Sequence, residues 1–176
     1  LQALRNTNIE SHLVMSKSAA LTLTYELDMP LAEVRALADH CHSNADIGAA
    51  ISSGSFRTAG MIIAPCSIRT MSDIACGTTS SLLSRAADVV MKERRRLVLM
   101  LRETPLHLGH LRTACKVAEI GAVVMPTVPA FYNRPESLDD IVNHSVGRAL
   151  DLFEIDTKLV HRWREDDQRP ERATVD

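Results

Sequence analysis

Two hydroxyl side chains, Ser67 and Thr70, fall in the stretch PCSIRT at residues 65–70, directly after the apolar run MIIA at residues 61–64. Such a run reads as a short strand buried on both faces, as strands of parallel sheets are, and Pro65, with no N–H to offer a ladder, ends it. Downstream, Met71, Ile74 and Ala75 recur at helical spacing, so the hydroxyls sit where a strand hands over to a helix. Free backbone N–H groups and the helix dipole favour an anion at such a junction, and Ser and Thr add donors without adding charge. The same residues also suit a plain helix cap, and this stretch alone does not choose between the two uses.

The pattern recurs along the chain. SHLVM at residues 11–15 is a strand candidate that runs into Ser16 and Lys17, and LVLML at residues 97–101 ends directly in Arg102 and Glu103. A further short strand at residues 122–125 leads into a proline-rich loop that carries Tyr132 and Arg134. Strands alternating with helices, each strand short and apolar, predict an α/β fold: a parallel sheet with helices on both faces, in three layers. Ligands of such folds gather at the carboxyl ends of the strands. That rule nominates Ser16, Lys17, the run Ser67, Ile68, Arg69 and Thr70, then Arg102, Glu103 and the loop at residues 126–134. Hydroxyl and guanidinium groups together suit a phosphate-bearing ligand.

Arg102 and Glu103 are either a surface ion cluster or a functional pair. Consecutive residues of an extended chain point opposite ways, so one can face a ligand while the other faces a neighbouring element or subunit. A partly desolvated carboxylate beside cations is a proton-transfer group. Lys92, at the end of a helix, by default complements the helix dipole. Arg148 lies within the last helix, where its planar fork can reach a phosphate. Tyr132 either packs or places its hydroxyl on a ligand.

The positioning elements follow from periodicity. Helices are expected from Lys17 to about Leu27, from Pro30 with Leu31, Val34, Leu37 and Ala38 on one face, over residues 80–93, over residues 106–120 with Gly121 as the cap, and after Ser137, whose partner Asp140 stands three residues on. Residues 40–50 are polar and carry no clear period, and SSGSFRT at residues 52–58 reads as a solvated loop. With no internal repeat or linker, residues 1–165 are expected to form one domain, followed by a polar tail at residues 166–176. The opening LQALRN reads as the last turn and a half of a helix, not the start of a domain, and no glycine-rich turn precedes the first strand candidate.

Composition excludes several classes. A formal net charge of −2 over 176 residues gives no general attraction to nucleic acid or anionic membranes, and 3% aromatic residues leave little to stack on bases. No apolar run reaches the length of a membrane span. The cysteines, Cys41, Cys66, Cys76 and Cys115, lack paired spacing and suggest reduced thiols in a cytoplasmic protein. His107 and His110, and His40 and His42, are spaced to chelate, but no third ligand with clear spacing joins either pair, and no metal is expected.

Several of these segments together resemble the UbiX-type flavin prenyltransferases, within the superfamily of homo-oligomeric flavin-containing Cys decarboxylases: PCSIRT after an apolar strand, RAADVVMKERR, RETPLHLGHLR at a strand end, and PAFYNRPESLDDIV. The similarity runs from about Glu10 to Trp163. It implies a Rossmann-like, flavodoxin-like fold, FMN as cofactor, and a homo-oligomer, a dodecamer in the family, with active sites between subunits. The implied reaction moves a dimethylallyl group from dimethylallyl monophosphate to N5 and C6 of reduced FMN, without a metal, and the prenylated FMN goes to a UbiD-type decarboxylase. Ser16, Ser67, Ile68, Arg69, Thr70 and Arg102 match flavin-contacting positions, and Arg85, Lys92, Tyr132 and Arg148 match positions around the prenyl phosphate. Glu103 matches the acidic residue that handles protons, Glu26 another acidic position near the site, and Ser67 stands with them in the catalytic set. Trp163 matches an aromatic that closes the pocket. Two alternatives remain: an FMN-binding, non-catalytic subunit of a decarboxylase system, and a flavin-dependent cysteine decarboxylase. PTVPAFYNRPE, where those decarboxylases carry a PxMNxxMW-type segment, disfavours the second.

Overall fold

A computed structural model of the chain describes residues 1–5, 7–160 and 162. They fall into two compact units, Leu1–Thr127 and Val128–Asp176.

In the first unit everything is arranged about β4 (Arg96–Leu101), whose residues from Leu97 onward are all buried. Alternate residues of a strand face opposite sides, so the run is covered on both. β4 pairs in parallel with β3 (Gly60–Cys66) on one side and β5 (Val123–Pro126) on the other. Parallel neighbours need crossovers. These are α3 (Ile68–Ala75) and α4 (Leu82–Lys92) ahead of β4, and α5 (Leu108–Glu119) ahead of β5. Leu97, Leu99 and Leu101 close a core with Ile63, Cys66, Met71, Ile74, Val90 and Val117, while Val98 and Met100 are buried on the opposite face. Each such side chain contributes about 1.5–3 kcal/mol on burial. Ser81 and Ser84 form a reciprocal cap at the start of α4, and Gly121 follows α5 at φ 109°, a conformation that favours glycine.

A second parallel sheet pairs β1 (His12–Met15) with β2 (His40–Ser43), joined by α1 (Lys17–Glu26) and α2 (Leu31–Ala36). The strands thus form two hydrogen-bonded sheets where the alternation predicted one. β2 was hidden in the polar stretch at residues 40–50: HCHS has no apolar alternation, and its half-exposed position asks for none.

Two other expectations are corrected. Pro65 does not end β3; the strand continues to Cys66, which pairs with Leu101 after a shift of register past Ile63. A missing N–H interrupts a ladder, and here the neighbouring residues resume it. Nor is the strand buried on both faces: Met61 and Ile62 are half-buried and Ala64 is exposed. The loop at residues 52–58 is pinned, not merely solvated. Arg95 donates to the carbonyls of Gly54 and Phe56, each at 2.7 Å.

In the second unit a 3-10 turn (Phe131–Asn133) precedes α6 (Leu138–Asp151), which opens with the Ser137 and Asp140 capping box that the sequence signals. A Cβ on Gly147 would stand 2.6 Å from Val160 Cγ2, so the segment after α6 folds closely against it. Among the described residues no helix is long and apolar enough to cross a membrane.

Candidate functional site

The carboxyl edge of the three-stranded sheet brings two of the nominated groups together. β3 and β4 end side by side, and the N–H of Arg102 donates to the carbonyl of Cys66 at 3.2 Å. That bond sets Arg102 and Glu103 next to the residue chain that opens α3. There Ser67, in extended conformation, caps the helix: its Oγ accepts from the N–H of Thr70 at 3.2 Å and lies 3.1 Å from Thr70 Oγ1. The N–H groups of Ile68 and Arg69, in the first turn, have no intrahelical acceptor to reach. Capping and anion binding are therefore compatible here, because the cap engages one hydroxyl and leaves the turn's other donors without an intrahelical acceptor.

Charge sets this helix start, like those of α1, α4 and α5, apart from that of α6. Neither α3 nor α1 carries an acidic residue in its first turn, whereas α6 carries Asp139 and Asp140. Aspartates there neutralise the dipole from within; α1 and α3 leave theirs open to an external anion. Ser16 opens α1 as Ser67 opens α3, its Oγ accepting from the N–H of Ala19 at 3.0 Å. Glu103 is exposed beyond β4, with Oε1 accepting from the N–H of Thr104 at 3.2 Å.

Other nominated residues lie elsewhere. Glu26 ends α1, so the helix sets it about 15 Å from Ser16 along its axis. Lys92 ends α4 just ahead of β4, at the opposite edge of the sheet from Arg102; the length of β4 separates them by about 17 Å. Its ammonium pairs with Glu93, whose carboxyl is held below the usual range by that hydrogen bond and by the charges of Lys92 and Arg95. The Gly54 loop crosses this pair so closely that a Cβ there would fall 2.1 Å from Glu93 Oε1 and 2.7 Å from Lys92 Nζ. Arg85, on α4, pairs with Asp88 at 3.0 Å. In the second unit, the Tyr132 ring stands edge-on to His144 and is 56% exposed. Arg148 pairs with Asp151 at 2.8 Å beside a depression of about 410 Å³ lined also by Leu152, Glu154, Asp156 and Arg162. Trp163 lies outside the described residues.

Histidine 107 is accounted for by the fold. Its Nδ1 accepts from the N–H groups of Gly109 and His110, so it caps α5 and that nitrogen is not open to a metal. Two features escaped sequence reasoning: the Arg95 anchor of the 52–58 loop, and the pairing of His12 with His40 across the small sheet. Neither has a signal in local spacing.

Cys66, beside Ser67, is no nucleophile. Burial pushes its thiol up to about 12, so it stays protonated at neutral pH. Under native conditions iodoacetamide should modify the exposed Cys41, Cys76 and Cys115 before Cys66, by about a hundredfold in rate, as read by peptide mass spectrometry. Equal labelling would mean that the core beneath the helix start is open.

A parallel α/β fold whose strand tips set a capped helix start beside Arg102 suits a phosphorylated ligand, and residues 1–149 match the Flavoprotein family. The chain belongs to that family, among the UbiX-type flavin prenyltransferases. It is 60% identical over 167 residues to flavin prenyltransferase UbiX of Escherichia coli (strain K12), covering 93% of this chain and 88% of the relative. The fold matches the crystal structure of AnUbiX (PadA1) in complex with FMN and dimethylallyl pyrophosphate, with a TM-score of 0.90 and 53% identity over 92% of this chain and 86% of that one. A dodecameric FMN-dependent UbiX-like decarboxylase from Escherichia coli O157:H7 matches with a TM-score of 0.90 and 49% identity over 93% of this chain and 89% of that one.

Proposed function

We propose that the chain is a flavin prenyltransferase that moves a dimethylallyl group from dimethylallyl monophosphate to N5 and C6 of reduced FMN, supplying prenylated FMN to a UbiD-type decarboxylase in the cytoplasm. The observation that carries this reading is the bond from Arg102 N–H to Cys66 carbonyl, which joins the hydroxyl-lined start of α3 to the arginine and carboxylate at the tip of β4.

The residues present suit FMN. Ser67, Thr70 and the N–H groups of Ile68 and Arg69 offer a phosphate neutral donors at a positive helix end, and the guanidinium groups of Arg69 and Arg102 offer charge. Ser16 adds a second hydroxyl at a helix start. When bound, the flavin supplies the nucleophilic nitrogen and carbon and an aromatic face that tolerates a neighbouring cation. The chain's own residues do the rest. Breaking an allylic C–O bond leaves a delocalised cation and a phosphate, so the departing charge must be neutralised and water kept out. Lys92, Arg148, Arg85 and the Tyr132 hydroxyl take that phosphate. Glu103 holds or accepts the proton released as the second bond closes, with Glu26 as a further acid near the site.

One copy does not assemble all of this. The length of β4 parts Lys92 from Arg102, and α1 parts Glu26 from Ser16. On this reading, as the family resemblance implies, the active site lies between copies of the chain, each giving its carboxyl-edge residues to one site and its Lys92 edge to another. A homo-oligomer is required for turnover, and a dodecamer such as that of the UbiX-like neighbour provides one.

The test is mass spectrometry of flavin released after anaerobic incubation of the chain with reduced FMN and dimethylallyl monophosphate, with the diphosphate in a parallel reaction. The expected product is FMN heavier by one dimethylallyl unit, formed with the monophosphate. Bound FMN that stays unmodified with both donors would overturn the reading in favour of a flavin-carrying subunit. Release of CO2 from a hydroxybenzoate by the chain alone would overturn it in favour of a decarboxylase.

A further inference from the structure

The small sheet gathers imidazoles that the prenyl transfer does not use. β1 and β2 pair so that His12 stands opposite His40 and Val14 opposite His42. Residues two apart on a strand share a face, so His12, His40 and His42 project together, and Cys41 projects away, its Sγ directed to the Arg35 carbonyl at 3.3 Å. Ring centroids of His12 lie 4.7 Å from His40 and 5.2 Å from His42, with the rings nearly parallel. Glu10 reaches over this stack: its Oε1 is 2.7 Å from His40 Nε2 and 3.4 Å from His12 Nε2.

We propose that Glu10, His12 and His40 form a binding site for a late first-row divalent cation such as Zn2+, separate from the flavin edge. One ligand atom from each lies within 4.8 Å of the others. Two imidazoles and a carboxylate are a zinc-type donor set, and donors held about 2.0–2.1 Å from a tetrahedral ion stand about 3.3 Å apart. The Glu10 to His12 separation of 3.4 Å already has that value. The Glu10 to His40 separation is shorter, 2.7 Å, and it widens when the ion enters between them. Glu10 and His40 are exposed enough for that movement, with side chains 66% and 52% accessible.

The surroundings are built for the ligand form of His12. Its other nitrogen, Nδ1, lies 2.9 Å from His42 Nε2; with Nδ1–H as donor this is the kind of outer hydrogen bond that orients a metal-bound imidazole and leaves Nε2 for the ion. Phe56 packs its edge on the ring at 5.3 Å. The strand ends are locked as well. Between Glu10 and His12, Ser11 donates its N–H and Oγ–H to Asp39 Oδ2, each at 2.7 Å, and accepts from the Asp39 N–H at 3.1 Å. Asp39 immediately precedes His40, so this bracket holds both halves of the site in register.

The site sits at the amino end of β1, about 13 Å from Ser16 at its carboxyl end. The ion would bridge β1 and β2 and stabilise the small sheet without touching the flavin.

The test is equilibrium dialysis of the purified, tag-free chain against Zn2+ at pH 7.5, read by atomic absorption, with Co2+ in parallel for its visible absorption. The expected result is one ion per chain with micromolar affinity, a Co2+ band typical of low coordination number, and a rise in Tm of about 5 °C at a hundredfold excess of Zn2+ over Kd. His40→Ala and Glu10→Gln, both at accessible positions, should weaken binding at least tenfold while circular dichroism stays unchanged, and His42→Phe should weaken it about tenfold through the lost outer hydrogen bond. His110→Ala, in the other histidine pair, should leave it unchanged. Absence of saturable binding below 100 µM, a concentration about a hundredfold above the expected Kd, or undiminished binding by His40→Ala, would overturn the proposal. No flavin or prenyl donor enters the assay, so its outcome is independent of the prenyltransferase reading.

Discussion

Replacing Glu103 by Gln should leave FMN bound and lower the rate of prenylated flavin formation by about 10²–10⁴-fold, the range that a positioned proton-transfer group supplies. The substitution keeps the side chain's length and its carbonyl oxygen, so the contact from the Thr104 N–H to Oε1 survives and the turn after β4 keeps its shape. What is lost is the ability to take a proton. The expected signature is a fall in kcat with little change in KM for the prenyl phosphate, because Glu103 follows Arg102 at the β4 tip and is not one of the cations proposed to bind the phosphate. Glu103→Asp should recover part of the rate, since it restores the base at a shorter reach. Single-turnover kinetics with reduced FMN, read by mass spectrometry, check this directly. Turnover within threefold of the unmodified chain would remove Glu103 from the proton path.

The features legible in the sequence are those whose cause is local. Leu97 through Leu101 could only be an interior strand, because an unbroken apolar run must be covered on both sides, and it is. Ser67 and Ser137 announced their helices, since a cap is fixed by residues three apart. Arg102 and Ser67 came together for a reason equally visible: both follow strands that are parallel, and parallel strands end on the same edge.

What stayed hidden depended on pairing between distant segments. HCHS at residues 40–43 has neither apolar alternation nor a high share of strand-forming residues, and it is a strand only because β1 offers it a ladder. Until that register is known, Glu10 and His12 have no relation to His40, and each histidine pair lacks a third ligand. Pro65 misled for the opposite reason: a local rule, that proline ends a ladder, yielded to the pairing of Cys66 with Leu101 beyond it. Lys92 and Arg102 illustrate a third case. Their types suggested one phosphate-rich site, and β4, lying between them in the chain, already separated them by the length of a strand.

Arg148→Lys should cost about a hundredfold in kcat/KM for the prenyl phosphate although charge is conserved. Arg148 is held by Asp151, which accepts from Arg148 Nη1 at 2.8 Å and from Arg162 at 3.0 and 3.1 Å, with an Asp151 side chain only 13% accessible. One edge of the guanidinium is thereby fixed, and the remaining N–H groups are oriented as a fork that a phosphate can meet with two bonds. A lysine at this position has one ammonium for both tasks: contact with Asp151 takes it from the ligand, and contact with the ligand leaves a largely buried carboxylate short of a donor. Each charge-assisted hydrogen bond is worth about 1.5–3 kcal/mol, so losing one gives the stated factor, and Arg148→Ala, losing both, about 10³-fold or more. Asp151→Asn should act in the same direction but more weakly, raising KM about tenfold by loosening the fork without removing it. FMN affinity should be unchanged in all three, since the flavin-binding positions proposed above are those of α1, α3 and the β4 tip. Steady-state kinetics with the monophosphate donor, beside FMN titration by fluorescence, separate these effects, and a lysine variant with unimpaired kcat/KM would show that Arg148 contributes only its charge.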